Sequence, residues 1–166
     1  MGGNMRTAAL LALAIMLPSR PGWADDDPGT RLFGSWRLVS FQTRIVGEEV
    51  APREMFGPYP FGRIVFTPEH YMAVFISQPD RKPPSDQAEA AALLSSMLAY
   101  TGKFRVEGDK FVTAVDGAWN EIYKGTEQVR YFALDGDKLS IRTPEQTSAI
   151  VPGKRTVGTL AWEREH

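Results

Sequence analysis

Any chemistry in this chain would come from few side chains. It holds two histidines, His70 and His166, and no cysteine. His166 ends the chain, and His70 sits between two apolar runs. Neither has a second histidine or a cysteine at the spacing a metal centre needs, so no metal is expected. A serine relay would have to use His70, because a terminal histidine is not held in place, and no nucleophile-elbow sequence accompanies it. No phosphate-cradling glycine loop is present, so no cofactor is expected either. Asp25, Asp26 and Asp27 are consecutive on a polar segment; such carboxylates do not converge on one ion, and they read as a solvated tail.

Arg130 stands out. It lies among Val129, Tyr131 and Phe132 on a predicted strand, where alternation gives it the same face as Phe132 and Leu134. Those apolar neighbours favour an inward position. An unpaired buried charge costs several kcal/mol, so an inward Arg130 needs a carboxylate or an anionic ligand. Outward, it is an ordinary surface residue. Tyr71, Phe75, Trp119 and Phe132 join Arg130 as the candidate ligand-binding residues. Trp119 sits in a connection at a barrel mouth, where the alternative is packing under its own loop. No catalytic residue is assigned. A cofactor-independent cyclase or isomerase would use Tyr71 as acid, Arg130 as anion binder and Glu121 as base, with cavity shape supplying the rest.

The elements that must carry these residues are strands. The first runs over residues 32–46, rich in β-branched and aromatic side chains, and ends at Gly47-Glu48-Glu49. Residues 51–61 contain Pro52, Gly57, Pro58 and Pro60 and form a loop. Phe56, Tyr59 and Phe61 suit that loop to packing on the wall or to acting as a lid. Residues 62–67 and 71–77 make a hairpin about Pro68-Glu69-His70. Both faces of its second strand are apolar: Tyr71, Ala73 and Phe75 on one, Met72, Val74 and Ile76 on the other.

A helix follows. Asp86-Gln87-Ala88-Glu89 is a start signal, and Ala90, Leu93, Leu94, Met97 and Leu98 repeat at helical spacing. This stripe is expected to pack on the sheet or close a barrel end. Strands resume at 100–107 and 110–115 around Gly108-Asp109, then at 127–134 and 138–143 around Asp135-Gly136-Asp137, and at 156–163. The fold class is mainly β: about eight antiparallel strands in an up-and-down barrel with one mid-chain helix.

Composition agrees with one domain. The 166 residues carry a net charge of -1, 43% hydrophobic and 23% charged residues, which gives no basic excess for nucleic acid. Residues 1–24 follow the secretory pattern: Arg6 in a short positive region, an uncharged run from Thr7 to Leu17, and Gly22-Trp23-Ala24 before the aspartates. That run is shorter than the ~20 residues a membrane span needs. Cleavage after Ala24 would leave no integral membrane segment, and a periplasmic or secreted location is expected. Residues 25–31 read as a flexible lead-in and 32–166 as the barrel. With no cysteine, the core alone must stabilise it.

Several segments together resemble the lipocalin-like domain family of bacterial and fungal proteins, relatives of the true lipocalins. They are Gly34-Ser35-Trp36-Arg37-Leu38-Val39-Ser40, Gly62-Arg63-Ile64-Val65-Phe66, Tyr71-Met72, Tyr100-Thr101-Gly102-Lys103-Phe104, Gly125 to Phe132 and Trp162-Glu163-Arg164, in the family's order. The resemblance implies a barrel able to hold a small apolar or amphipathic molecule, and brings no catalytic motif. It also implies that Trp36 on the first strand is stacked by Arg164 on the last. The chain departs from the pattern at His70, where the family tends to have glycine. It departs again at residues 110–115, where Thr113 and Ala114 stand in place of a common histidine. Binding of a small molecule is the leading reading, a cyclase or isomerase the second, and a filled structural barrel at the envelope the third.

Overall fold

The computed structural model describes residues 29–148, 151 and 153–166. The expected signal at 1–24 lies outside the described residues. The strands are β1 (Gly34–Ile45), β2 (Arg53–Glu54), β3 (Phe61–Phe66), β4 (Tyr71–Ser77), β5 (Met97–Glu107) and β6 (Lys110–Ala118). They continue with β7 (Glu127–Asp135), β8 (Lys138–Arg142), β9 (Gln146–Thr147) and β10 (Arg155–Arg164). Short 3-10 turns cover Thr30–Leu32 and Glu121–Tyr123, and one α-helix, α1, covers Gln87–Ser95. Neighbours along β1-β3-β4-β5-β6-β7-β8-β10 are all antiparallel, and β10 pairs back onto β1. Eight strands therefore close a barrel, with β2 and β9 as two-residue additions at its rim.

Strand β1 shows how the sequence is bent into the wall. Trp36 and Leu38 are buried, then Phe41, Thr43 and Ile45. The switch from even to odd positions falls where the pairing with β10 slips between Leu38 and Ser40. An extra residue there, Val39, re-aims every later side chain, as a β-bulge does. A second slip lies between Thr101 and Gly102 of β5. A Cβ on Gly102 would stand 2.0 Å from the carbonyl oxygen of Ala114, so only glycine allows this approach.

The two barrel ends differ. One holds the turns after β3, β5 and β7 and both ends of the described chain. Here Trp36 Nε1 donates to the carbonyl of Leu32 at 2.8 Å, and the Arg164 guanidinium lies 4.0 Å from the Trp36 ring. Gly34, at φ 117°, leaves room for it, since a Cβ there would meet Arg164 Nη1 at 3.0 Å. Residues 29–31, read as the end of a flexible lead-in, are thereby tied down: Arg164 donates to the carbonyls of Arg31 and Phe33. Phe66, Phe104 and Phe111 fill the space above with edge-on contacts at 5.1 and 5.3 Å. His70, in the β3–β4 turn, has φ 60°, the left-handed region that glycine favours, and packs on Phe33 and Phe104.

The helix corrects one expectation. Asp86 does cap it, accepting from the Glu89 amide at 2.8 Å, and Glu89 accepts from the Ser85 amide. None of its residues is buried, however, and Leu94 is 52% exposed. Met97 and Leu98, counted into its stripe, belong to β5. The helix ends after nine residues, too early to carry the stripe across the sheet, and stays outside the barrel. Among the described residues no helix is long and apolar enough to cross a membrane.

Candidate functional site

At the end away from Trp36 the barrel is not filled. The chain in β1, just after β8 and in β10 brings small or hydroxylated residues to this level: Thr43, Thr143, Thr156 and Gly158. Such side chains cannot span the interior as the phenylalanines do at the other end. They line a cavity of about 70 Å³. It is narrow. Its deeper wall is apolar, with Phe41, Ile64, Val74, Ile141 and Leu160, and Trp162 also lines it. The loop before β3 contributes Met55 to the wall and buries Phe56 against Phe41, with centroids 5.5 Å apart. That loop packs on the barrel and carries Tyr59 out into solvent.

Arg130 lines this cavity. It is 7% exposed, paired in register with the wholly buried Phe111. Its Nη1 donates to the carbonyl of Val129 at 2.7 Å and its Nη2 to Gln128 Oε1 at 3.2 Å. The guanidinium sits 5.9 Å from the Tyr100 ring, which stacks with Tyr123 at 6.3 Å and 13° between planes. No carboxylate among the described residues lies at ion-pair distance from it. Burial pushes the Tyr123 phenol above its usual value, with the positive Arg130 pulling it back. Tyr123 is therefore a neutral hydroxyl at neutral pH.

Two buried polar atoms lack partners among the described residues: Trp162 Nε1, in the cavity wall, and Thr113 Oγ1, opposite Gln128 on β6. An indole N–H can only donate, so Trp162 leaves a donor unused beside the cavity. A shallower depression outside the mouth is lined by Ile122, Gln128 and Thr147 together with Tyr123, Gln146 and Ser148, which also line the cavity. The shared residues put this depression beside the cavity, between the Glu121–Tyr123 turn and β9.

Of the five ligand-contacting candidates, Arg130 is at the cavity. Tyr71 and Phe75 are on the outer face of β4; Tyr71, 41% exposed, lies under the Lys103 ammonium, and Phe75 meets Phe61 edge-on. It is Val74 and Ile76 of that strand that line the interior. The reason is pairing: both faces of β4 are apolar, and the register with β3 and β5 selects the Met72, Val74, Ile76 face. Trp119 packs on Tyr123 at 4.8 Å under its own loop and does not reach the cavity. Phe132 packs on Phe111 nearer the closed end. The acid, anion-binding and base trio is not assembled, since Tyr71 points out and Glu121 is an exposed turn residue. Tyr100, Tyr123 and Trp162 were not foreseen at the cavity. Alternation along β5 and β10 would have reached Tyr100 and Trp162; Tyr123 sits on a 3-10 turn with no such period.

A family model for the lipocalin-like domain matches residues 33–165, and the chain belongs to that family. No curated protein matches it in sequence. Among the described residues no three histidine, aspartate or glutamate side chains group to hold a metal.

Proposed function

We propose that this protein is an exported binding module that carries a small hydrophobic or amphipathic molecule in its barrel cavity. The observation behind the reading is a narrow apolar cavity with a mouth to solvent inside a lipocalin-like barrel. Small-molecule sites are of this kind, apolar walls with few polar groups to orient the ligand. The uncoupled positions of Tyr71, Arg130 and Glu121 speak for carriage over catalysis. Export rests on the charged, apolar and small-residue pattern of residues 1–24.

The test is a thermal-shift and native mass-spectrometry screen against lipids, quinones and aromatic metabolites. At least one class should raise the melting temperature and appear as a one-to-one adduct. A screen in which nothing binds would remove the carrier reading. Cell fractionation that found the protein in the cytoplasm with its first 24 residues intact would remove export.

A further inference from the structure

We infer that the ligand is a slender organic monoanion whose carboxylate sits on Arg130 just inside the mouth, with its apolar body running down the barrel toward Trp162. This rests on the carrier reading and adds the chemistry of the ligand. No described residue supplies a counter-charge for Arg130. The residue is only 7% exposed, yet its two acceptors, a backbone carbonyl and a glutamine amide, are both neutral. A guanidinium has five N–H groups, so the two used leave a fork for a carboxylate. The Tyr123 phenol, which also lines the cavity, is held neutral by burial and cannot serve as the anion.

The layout of the cavity sets the orientation. Tyr131 pairs with Arg142, so Arg130 stands level with Thr143, whose amide donates to the carbonyl of Gly158 at 2.9 Å. That is the hydroxyl-lined tier beside Tyr123, Gln146 and Ser148, which also line the depression outside the mouth. Trp162 is four residues beyond Gly158 on β10, about 13 Å along that strand, past Leu160 and Ile141. A charged head at the mouth tier and an apolar tail below it match this order, and an acceptor on the tail would meet the unused Trp162 N–H. Charge count limits the head. Arg130 is the only lysine or arginine lining the cavity among the described residues, so one negative charge is matched and a dianionic phosphate is not.

Calorimetric titration with two matched pairs tests this: dodecanoate against 1-dodecanol, and 2-naphthoate against 2-naphthol. In at least one pair the carboxylate should bind roughly tenfold to a hundredfold tighter, the range expected for hydrogen bonds to a charged group. Arg130→Gln should bring the carboxylate down to the level of the alcohol, while Arg130→Lys should keep part of the preference. Far-UV circular dichroism and a cooperative melt show that the variants are folded. Equal binding of acid and alcohol in the wild type, or a preference that survives Arg130→Gln, overturns the inference and leaves the carrier reading standing. Binding of neither member of either pair also overturns it; the carrier reading falls only if the wider screen is empty as well.

Discussion

Arg164 and Arg130 both lie against an aromatic ring in the same barrel, and their surroundings are opposite. Arg164 has the closer ring, at 4.0 Å against 5.9 Å, donates to two backbone carbonyls, and has Asp137 at 3.5 Å. Its side chain is still 23% exposed. Arg130 is more deeply buried and has no carboxylate at ion-pair distance among the described residues. The tryptophans repeat the contrast, since Trp36 Nε1 is bonded to Leu32 and Trp162 Nε1 to none of the described residues. The latch donors of Trp36 and Arg164 are bonded into the fold, whereas the Trp162 N–H beside the cavity has no partner among the described residues, which is how a binding site differs from a latch.

The largest test of this contrast is at the latch. Trp36→Ala should cost about 3–5 kcal/mol, from lost packing and the cavity left behind. Arg164→Ala should cost about 2 kcal/mol, from the cation–π contact and the two carbonyl bonds. Chemical denaturation measures both, and an unchanged midpoint for Trp36→Ala would dissolve the latch.

Arg130→Met should act in the other direction. Replacing an uncompensated buried charge by an apolar side chain of similar length should stabilise the ligand-free protein by about 1 kcal/mol. This would appear as a melting temperature a few degrees higher. A loss as large as that of Arg164→Ala would make Arg130 a second latch and erase the distinction.

A smaller effect separates the two indoles. Trp36→Phe breaks the bond to Leu32, whereas Trp162→Phe removes a donor that has no partner. The first should be the costlier by about 1 kcal/mol in paired melts. Equal losses would mean that Trp162 Nε1 is satisfied in solution.

The smallest concerns pH. Glu165 accepts a two-pronged bond from Arg63 and one from Ser35, and these hold its carboxyl down at about 2. A carboxyl depressed on folding stabilises above its ordinary value near 4.5, and that contribution is lost as pH falls toward 2. Glu165→Gln should therefore flatten part of the stability decline between about pH 5 and 2. Because the pair is at the surface, added salt should mute the difference. An identical acid limb in both proteins would show that the pair does nothing for stability.

Much of the barrel was legible because it is written locally. Alternating apolar residues and the turns at Gly108-Asp109 and Gly136-Asp137 mark strands without reference to anything distant. The Trp36–Arg164 pairing was legible through family resemblance, and the register Trp36↔Arg164 realises it. The site was legible at one residue, Arg130, whose charge among apolar neighbours is itself an anomaly. Elsewhere the period misled. Tyr71 and Phe75 alternate as well as Val74 and Ile76 do, and the stripe from Ala90 to Leu98 continues across the end of the helix into β5.

By itself, then, the sequence determined the strands, their turns and the likeness of the two closing strands to a known family, because each depends on residues close together in the chain. Only the tertiary structure decided which apolar face of β4 turns inward, that the helix stays outside, and that Arg130 meets no carboxylate among the described residues. Those outcomes depend on register and on closure between strands far apart in sequence: a one-residue slip, as at Val39, moves every later side chain to the opposite face.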